Sequence, residues 1–169
     1  MGRGFGTDAG LRGRNGRDRR LLRGATAVTP ADLGDSPILL DTDVFSFVVW
    51  SRGPAAMYEP FVVNRLWVLS FATVAELRYG AIKAGWGPTR LRELDRRIRL
   101  CVVVPGTDAV ATRWAELNAK FKDQVGMNDL WIAACALSQN PVLPVASHDH
   151  AFEMIAAEFN LPVVRINAA

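Results

Sequence analysis

Two aspartates follow directly after the first strongly apolar segment of the chain. Residues 38–40 are Ile-Leu-Leu, Asp41 comes next, and Asp43 stands two residues later. In α/β proteins, ligands and catalytic groups collect at the carboxyl ends of strands, so an acid that ends a buried strand is a candidate functional residue. Aspartate is also a common N-cap, and either residue could simply cap the following helix. Acids at equivalent positions downstream would favour the functional interpretation.

Two later acids occupy comparable positions. Asp149 follows the apolar segment 142–146, and Asp129 stands near the start of the apolar segment 127–137. Because 127–137 is apolar around its whole circumference after Asp129, it predicts a helix that is buried on all sides. A carboxylate in the first turn suits the helix dipole, which is the simpler explanation. At the end of a buried helix, however, a carboxylate requires a cation or hydrogen-bond donors.

The start of the helix 127–137 also carries capping signals. Asn128 is predicted to cap the helix, and Met127 is predicted to pack against Ile132 as a hydrophobic staple. Both interactions would fix the position of Asp129 in the first turn.

The helical periodicity around Glu76 does not predict a functional acid. It lies in the predicted helix 71–84, in which Val74, Leu77 and Ala81 form one apolar arc. Glu76 points away from that arc, so the pattern alone predicts a solvated surface acid.

The order of the predicted elements determines where these acids can meet. Strands and helices alternate along the chain, which is typical of a mostly parallel sheet of four to five strands covered by helices on both faces. The predicted strands are 38–40, 67–70, 101–105, 142–146 and 161–166. The predicted helices are 44–50, 55–64, 71–84, 88–99, 107–121, 127–137 and a last helix that opens at 147–149 and ends near 159. Asp41 and Asp149 then share one edge of the sheet, and Asp129 joins them if its helix approaches that edge.

Convergence of these carboxylates would create a metal site. Like charges placed this close cannot all remain ionised unless a cation joins them. Oxygen ligands favour Mg²⁺ or Mn²⁺ over zinc, and such an ion suits hydrolysis of a phosphodiester bond. Cys101 and Cys135 show no ligand spacing, and His148 and His150 are the only histidines, so a zinc site is not expected.

Composition and charge restrict the class of protein. No apolar run approaches the roughly 20 residues that span a bilayer, and the basic N-terminus has no apolar segment of a secretory signal, so a cytoplasmic protein without membrane contact is expected. Residues 1–36 hold seven arginines and four aspartates, whereas residues 37–169 hold 13 basic and 13 acidic residues. Residues 1–36 are rich in glycine and arginine and predict a disordered leader, either non-essential or a basic arm for nucleic acid. Residues 37–169 are predicted to form one globular domain.

Four motifs together resemble those of a known family. They are LLDTD at 39–43, TVAELRYG at 73–80, NDLWIAA at 128–134 and SHDHAF at 147–152. In this order and at these separations they are similar to the motifs of the PIN-domain ribonucleases, specifically the VapC toxins of type II toxin–antitoxin modules. The resemblance extends over residues 37–166.

The resemblance implies a fold, a site and partners. The fold would be a PIN-like three-layer α/β/α structure, with an acidic Mg²⁺ site formed by Asp41, Glu76, Asp129 and Asp149. Asp41 and Asp129 would be direct ligands, and Glu76 and Asp149 would act largely through water. Thr42 and Ser147 match positions that help to orient the site, and Asp43 stands where such toxins often have Asn or Ser. A structured RNA such as transfer RNA or ribosomal RNA would be the substrate, a VapB-like antitoxin the inhibitor, and a homodimer the assembly.

Two other functions remain open from the residues. Asp41 and Asp43 after an apolar strand also resemble the nucleophile motif of haloacid-dehalogenase-type phosphatases, in which Asp41 would be phosphorylated and Asp43 would be the acid/base. Phe45 stands where that motif prefers Thr or Val. The second alternative is a catalytically silent PIN-like module that only binds RNA or an antitoxin.

Overall fold

A five-stranded sheet forms the centre of the protein, whose structure is a computed structural model that describes residues 28–166. All four strand pairs are parallel, and the strand order is β3-β2-β1-β4-β5. The strands are β1 (Ile38–Leu40), β2 (Trp67–Ser70), β3 (Val102–Val104), β4 (Val145–Ala146) and β5 (Val163–Val164). The predicted parallel sheet is therefore confirmed, and the first strand of the sequence is its central strand.

Helices connect the strands and cover both faces of the sheet. They are α1 (Thr42–Trp50), α2 (Ala55–Val62), α3 (Phe71–Lys83), α4 (Pro88–Ile98), α5 (Asp108–Phe121), α6 (Met127–Leu137) and α7 (Ala151–Phe159). Successive side chains of a strand point to opposite faces, so Leu39 packs into one core with α5, α6 and α7. Ile38 and Leu40 pack into a second core with α1, α2, α3 and α4. This arrangement confirms the three-layer α/β/α prediction.

The backbone of β1 and β4 brings their carboxyl ends side by side. The N–H of Leu39 donates to the carbonyl of Pro144 at 2.9 Å, and the N–H of Asp41 donates to the carbonyl of Ala146 at 3.0 Å. Asp41, the residue directly after β1, thus still bonds to the neighbouring strand, and its side chain lies where Ser147 leaves β4.

Strands β4 and β5 are shorter than predicted, because prolines interrupt both. Pro144 and Pro162 lack the N–H that a sheet ladder requires, although their carbonyls still accept from Leu39 and Val145 at 2.9 Å. The predicted strands 142–146 and 161–166 are therefore reduced to two residues each.

The last helix begins later than predicted. The N–H of Ser147 still donates to the carbonyl of Val164 at 3.1 Å, so Ser147 continues the sheet. Asp149 then accepts a hydrogen bond from the N–H of Ala151 at 2.7 Å, and α7 starts at Ala151. The segment 147–150 is consequently a connection and not the first turn of a helix.

Residues 28–36, the end of the predicted leader, pack against the domain. Leu33 is only 6% exposed and belongs to the core below α1 and α2. The guanidinium group of Arg65 donates to the carbonyls of Pro30, Gly34 and Ser36 and holds this segment. A distant arginine therefore orders a segment that has no apolar periodicity. Residues 1–27 of the predicted leader lie outside the described residues. Over residues 28–166, no helix is both long and apolar enough to cross a bilayer.

Candidate metal centre

An acidic cleft lies at the carboxyl edge of the sheet. Its volume is about 450 Å³. We call it the acidic cleft, and its lining residues are Asp41, Thr42, Asp43, Glu76, Gly126, Met127, Asn128, Asp129 and Asp149. All four predicted acids are among them, and none of these described lining residues is a lysine, arginine or histidine. The structure thus brings the predicted carboxylates together without a basic residue in the lining to neutralise them.

Asp41 is both a helix cap and a buried acid of this cleft. Its Oδ1 accepts from the N–H of Thr42 at 2.6 Å, and its Oδ2 accepts from the Ser147 hydroxyl at 2.7 Å. The residue is 6% exposed. Burial raises the pKa of Asp41 from 3.8 to about 7, the charge of Asp129 adds to the rise, and the hydrogen bond from Ser147 opposes it. Capping therefore does not compete with a functional role, because it helps to fix the side chain.

Glu76 is not the solvated acid that helical periodicity predicts. It is half-buried, and the Thr42 hydroxyl donates to its Oε2 at 2.6 Å. Thr42 lies in the first turn of α1, whereas Glu76 lies in the second turn of α3. The partner that draws Glu76 into the cleft therefore comes from another helix, and the pattern within α3 contains no signal for it.

Asp129 lies on α6, which does approach the carboxyl edge of the sheet. Burial raises its pKa from 3.8 to about 6, and the charges of Asp149, Glu76 and Asp43 contribute to the rise. Asp129 lines the acidic cleft together with Asp41, Glu76 and Asp149. Its helix therefore approaches the sheet edge that Asp41 and Asp149 share, as its predicted role required.

The start of α6 differs from the predicted capping. The helix begins at Met127 with Gly126 as N-cap, and no side chain caps it. Asn128 is therefore inside the first turn, and Met127 is 64% exposed at the cleft and does not act as a buried staple. A Cβ atom at Gly126 would lie 2.7 Å from Oδ2 of Asp129, so the Asp129 carboxylate occupies the space that the missing side chain leaves. Gly126 is a site residue that motif spacing does not reveal.

Ser147 connects two of the acids. Its hydroxyl donates to Asp41 and accepts from the N–H of Asp149 at 3.0 Å, and the residue is fully buried. Asp149 itself is exposed at the mouth of the cleft. The orienting positions proposed for Thr42 and Ser147 thus coincide with hydrogen bonds to Glu76 and Asp41.

Tyr58 holds the connection that carries Asp149. This fully buried residue of α2 donates its single hydroxyl proton to the carbonyl of Ser147 at 2.9 Å. His148 Nδ1 lies 3.1 Å from the hydroxyl oxygen of Tyr58. Because the one proton of that hydroxyl goes to Ser147, Nδ1 donates in this second hydrogen bond. The His148 ring also lies edge-on to Phe47. His148 is therefore a packing residue outside the acidic cleft, and sequence patterns did not single out Tyr58.

Replacing Tyr58 by phenylalanine is expected to lower the free energy of unfolding by about 1 to 3 kcal/mol, because the buried carbonyl of Ser147 loses its donor. Urea denaturation of wild type and Tyr58→Phe would measure the change. Tyr79→Phe is the matched control, since Tyr79 is 62% exposed and its hydroxyl should contribute less than about 0.5 kcal/mol. Equal losses in both variants would contradict the anchoring role of Tyr58.

The chemistry of the donors fits a hard divalent cation. The available groups are carboxylates, two of which have raised pKa values that an adjacent cation would lower. Within residues 28–166, no three acidic, histidine or cysteine side chains already stand in a metal-binding arrangement. Two direct carboxylate ligands with water molecules in the remaining positions would suffice for Mg²⁺ or Mn²⁺, and the residues present suit such an ion.

Comparisons with known proteins agree with this fold. Residues 38–158 match the PIN domain family. Ribonuclease VapC5 of Mycobacterium tuberculosis is 29% identical over 133 residues, which cover 76% of this chain and 94% of that protein. Ribonuclease VapC1 of Haemophilus influenzae is 32% identical over 114 residues, covering 62% and 82% respectively.

Solved structures show the same fold. The VapBC-5 toxin–antitoxin structure from Mycobacterium tuberculosis superposes with a TM-score of 0.55 and 28% identity, over 78% of this chain and 99% of that one. VapBC2 from Rickettsia felis gives a TM-score of 0.62 at 19% identity, over 77% and 98%. The four-motif resemblance is thereby confirmed, and the nuclease alternative is favoured over the phosphatase. The chain belongs to the PIN domain family, and within it to the VapC group.

Proposed function

We propose that this protein is a Mg²⁺-dependent endoribonuclease, with Mn²⁺ as a possible substitute ion, that hydrolyses phosphodiester bonds of structured RNA such as transfer RNA or ribosomal RNA. The observation that supports the proposal most directly is the acidic cleft, in which four carboxylates from four parts of the chain converge and two have raised pKa values. The ribonuclease names of the relatives support the choice of RNA.

The residues of the cleft divide into ligands and orienting groups. Asp41 and Asp129 would hold the ion directly, since they are the two acids whose burial most needs a cation. A bound Mg²⁺ would stabilise negative charge on the phosphoryl oxygens and lower the pKa of a water molecule in the cleft. Ser147 keeps Asp41 in place, and Asp41 retains one lone pair on each oxygen beyond its two hydrogen bonds.

Glu76 and Asp149 would serve as proton acceptors and as ligands through water. The Thr42 hydroxyl binds Oε2 of Glu76, which leaves Oε1 available for a water molecule. Asp149 uses Oδ1 to accept from Ala151, which leaves Oδ2 for the same purpose. Each acid is thus held through one oxygen and keeps the other available for a water molecule.

Partners of the protein are part of the same proposal. The solved relative VapBC-5 is a member of a family of toxin–antitoxin systems, and this supports a VapB-like antitoxin as the inhibitor of the present chain. We further propose that the protein acts in the cytoplasm as a homodimer.

Cleavage of total RNA tests the proposed function. Wild type with Mg²⁺ should produce discrete fragments on a denaturing gel, and chelation of Mg²⁺ or the substitution Asp129→Asn should prevent their formation. Fragments of equal yield from Asp129→Asn would show that another nuclease or another site is responsible. Absence of cleavage by wild type on every RNA tested would count against the function itself.

Two measurements separate the remaining alternatives. A silent binding module should show no heat of Mg²⁺ binding by calorimetry, whereas the proposed enzyme should bind Mg²⁺ in wild type and lose binding in Asp129→Asn. A phosphatase should form a covalent phosphate on Asp41 that mass spectrometry detects.

Gly126→Ala is expected to reduce RNA cleavage by about 10- to 100-fold, the usual scale for a disturbed neighbour of a metal ligand. The new Cβ would displace the Asp129 carboxylate, although φ of −60° at this position suits alanine. Gly87→Ala is the matched control, because Gly87 is the N-cap of α4 and a Cβ there meets nothing within 4 Å. If Gly126→Ala keeps full activity while remaining folded by circular dichroism, the close packing of Gly126 and Asp129 has no functional role.

A further inference from the structure

A second cleft opens beside the acidic cleft and differs from it in character. Its volume is about 400 Å³, and three aromatic residues line it, namely Phe71, Tyr79 and Trp131. We call it the aromatic cleft. It shares Glu76 and Asn128 with the acidic cleft, so the two clefts are adjacent.

Two helices build both clefts with the same spacing. On α3, Glu76 borders the acidic cleft, and Tyr79 follows three residues later in the aromatic cleft. On α6, Asn128 borders the acidic cleft, and Trp131 follows three residues later. Three residues advance a helix by about 4.5 Å, so each helix presents an aromatic ring roughly one turn from the proposed site of cleavage.

The aromatic cleft contains closely packed rings and one exposed ring. Trp131 stacks on Trp114 with ring centroids 4.7 Å apart and an interplanar angle of 15°, and it meets the edge of Phe71 at 5.4 Å. Tyr79 is 62% exposed. The ammonium group of Lys83 lies 5.9 Å from the centroid of the Tyr79 ring, one turn further along α3. The ammonium group of Lys83 therefore lies over one face of an exposed aromatic ring.

We propose that the aromatic cleft binds an unpaired nucleobase of the RNA next to the phosphodiester bond that is cut. Tyr79 stacks on the base, Lys83 contacts a neighbouring phosphate, and the Asn128 amide hydrogen-bonds the edge of the base. The inference rests on the proposed ribonuclease function and adds to it a base-binding subsite formed by residues of α3 and α6. Unstacked loop bases are the parts of RNA that proteins read by stacking on aromatic rings.

The position and chemistry of the aromatic cleft favour a nucleotide as its occupant. A nucleotide offers a flat π-face for Tyr79 and a negative phosphate for Lys83, and it is linked covalently to the phosphate in the acidic cleft. A second copy of the chain is the competing occupant, because Ile82 on the same helix is also exposed. The experiment below distinguishes the two occupants.

The test uses RNA binding by full-length protein that carries Asp129→Asn to stop cleavage. The probe is a short uridine-rich RNA oligonucleotide with one 2-aminopurine, whose fluorescence falls when the base stacks. Adding Tyr79→Ala should weaken RNA binding, followed by anisotropy, by about 5- to 100-fold and abolish the fall in fluorescence. Tyr79→Phe should retain both properties, because it keeps the ring. Met154→Ala, an exposed apolar position on α7, is the control and should change neither.

Three outcomes would overturn the inference. One is RNA affinity and fluorescence in Tyr79→Ala equal to those of the parent protein, and another is a loss of affinity in Tyr79→Phe as large as in Tyr79→Ala. Alternatively, light scattering could show that Tyr79→Ala changes the oligomeric state while RNA affinity is unchanged, in which case a second copy occupies the cleft. Failure of the subsite alone leaves Mg²⁺-dependent cleavage by wild type intact, whereas failure of the proposed function abolishes cleavage in wild type as well.

Discussion

Asp41→Asn is expected to lower Mg²⁺-dependent RNA cleavage by at least about 100-fold while the protein remains folded. Asparagine has nearly the same shape and can still accept from the N–H of Thr42, but it removes the negative charge that holds the ion. Initial rates on a defined RNA fragment, compared with thermal unfolding of the same samples, would separate loss of catalysis from loss of fold. A rate within about threefold of wild type at saturating Mg²⁺ would remove Asp41 from the site.

The neighbouring aspartate provides the matched control. Asp43 also lines the acidic cleft, but it is exposed, and the resemblance places it where such toxins often have Asn or Ser. Asp43→Asn should therefore cost less than about tenfold in rate. Equal losses in both variants would instead suggest a joint role for the two aspartates, as in the phosphatase alternative.

The second large effect concerns stability. Without a metal ion, the free energy of unfolding is expected to fall as the pH rises from about 4 to about 7. The pKa is raised from 3.8 to about 7 in Asp41 and to about 6 in Asp129, so the folded state binds more protons than the unfolded state in this interval. When the folded state holds the extra protons, raising the pH favours unfolding. Chemical denaturation in chelator at pH 5 and pH 8 would measure the difference.

Mg²⁺ should reverse this loss at pH 8. When free Mg²⁺ exceeds its Kd by about 100-fold, binding should add about 2.7 kcal/mol and raise Tm by about 5 to 10 °C. At pH 5 the increase should be smaller, because protons compete for Asp41 and Asp129. Asp41→Asn should flatten the pH dependence and remove the response to Mg²⁺. A wild-type Tm that is unchanged by Mg²⁺ at pH 8 would argue against the ion site.

Much of the architecture could be predicted from local pattern. Short apolar runs separated by amphipathic helices determine a parallel sheet with helices on both faces, and the helix 127–137 is observed with the predicted bounds. Asp41 and Asp149 follow strands that are neighbours in the sheet, so their meeting follows from topology. Pro144 and Pro162 shorten β4 and β5, but the apolar runs around these prolines led to the prediction of longer strands.

Other features depend on contacts between residues far apart in the chain, which no local pattern encodes. Glu76 enters the cleft because Thr42, 34 residues earlier, donates a hydrogen bond to it. Arg65 orders residues 30–36 from the loop before β2, and Tyr58 positions the Ser147 connection 89 residues away. The sequence by itself determined the strand ends and the acids that follow them. Only the tertiary structure decided which acid becomes buried, because desolvation, hydrogen-bond donors and neighbouring charges all arise from segments that folding brings together.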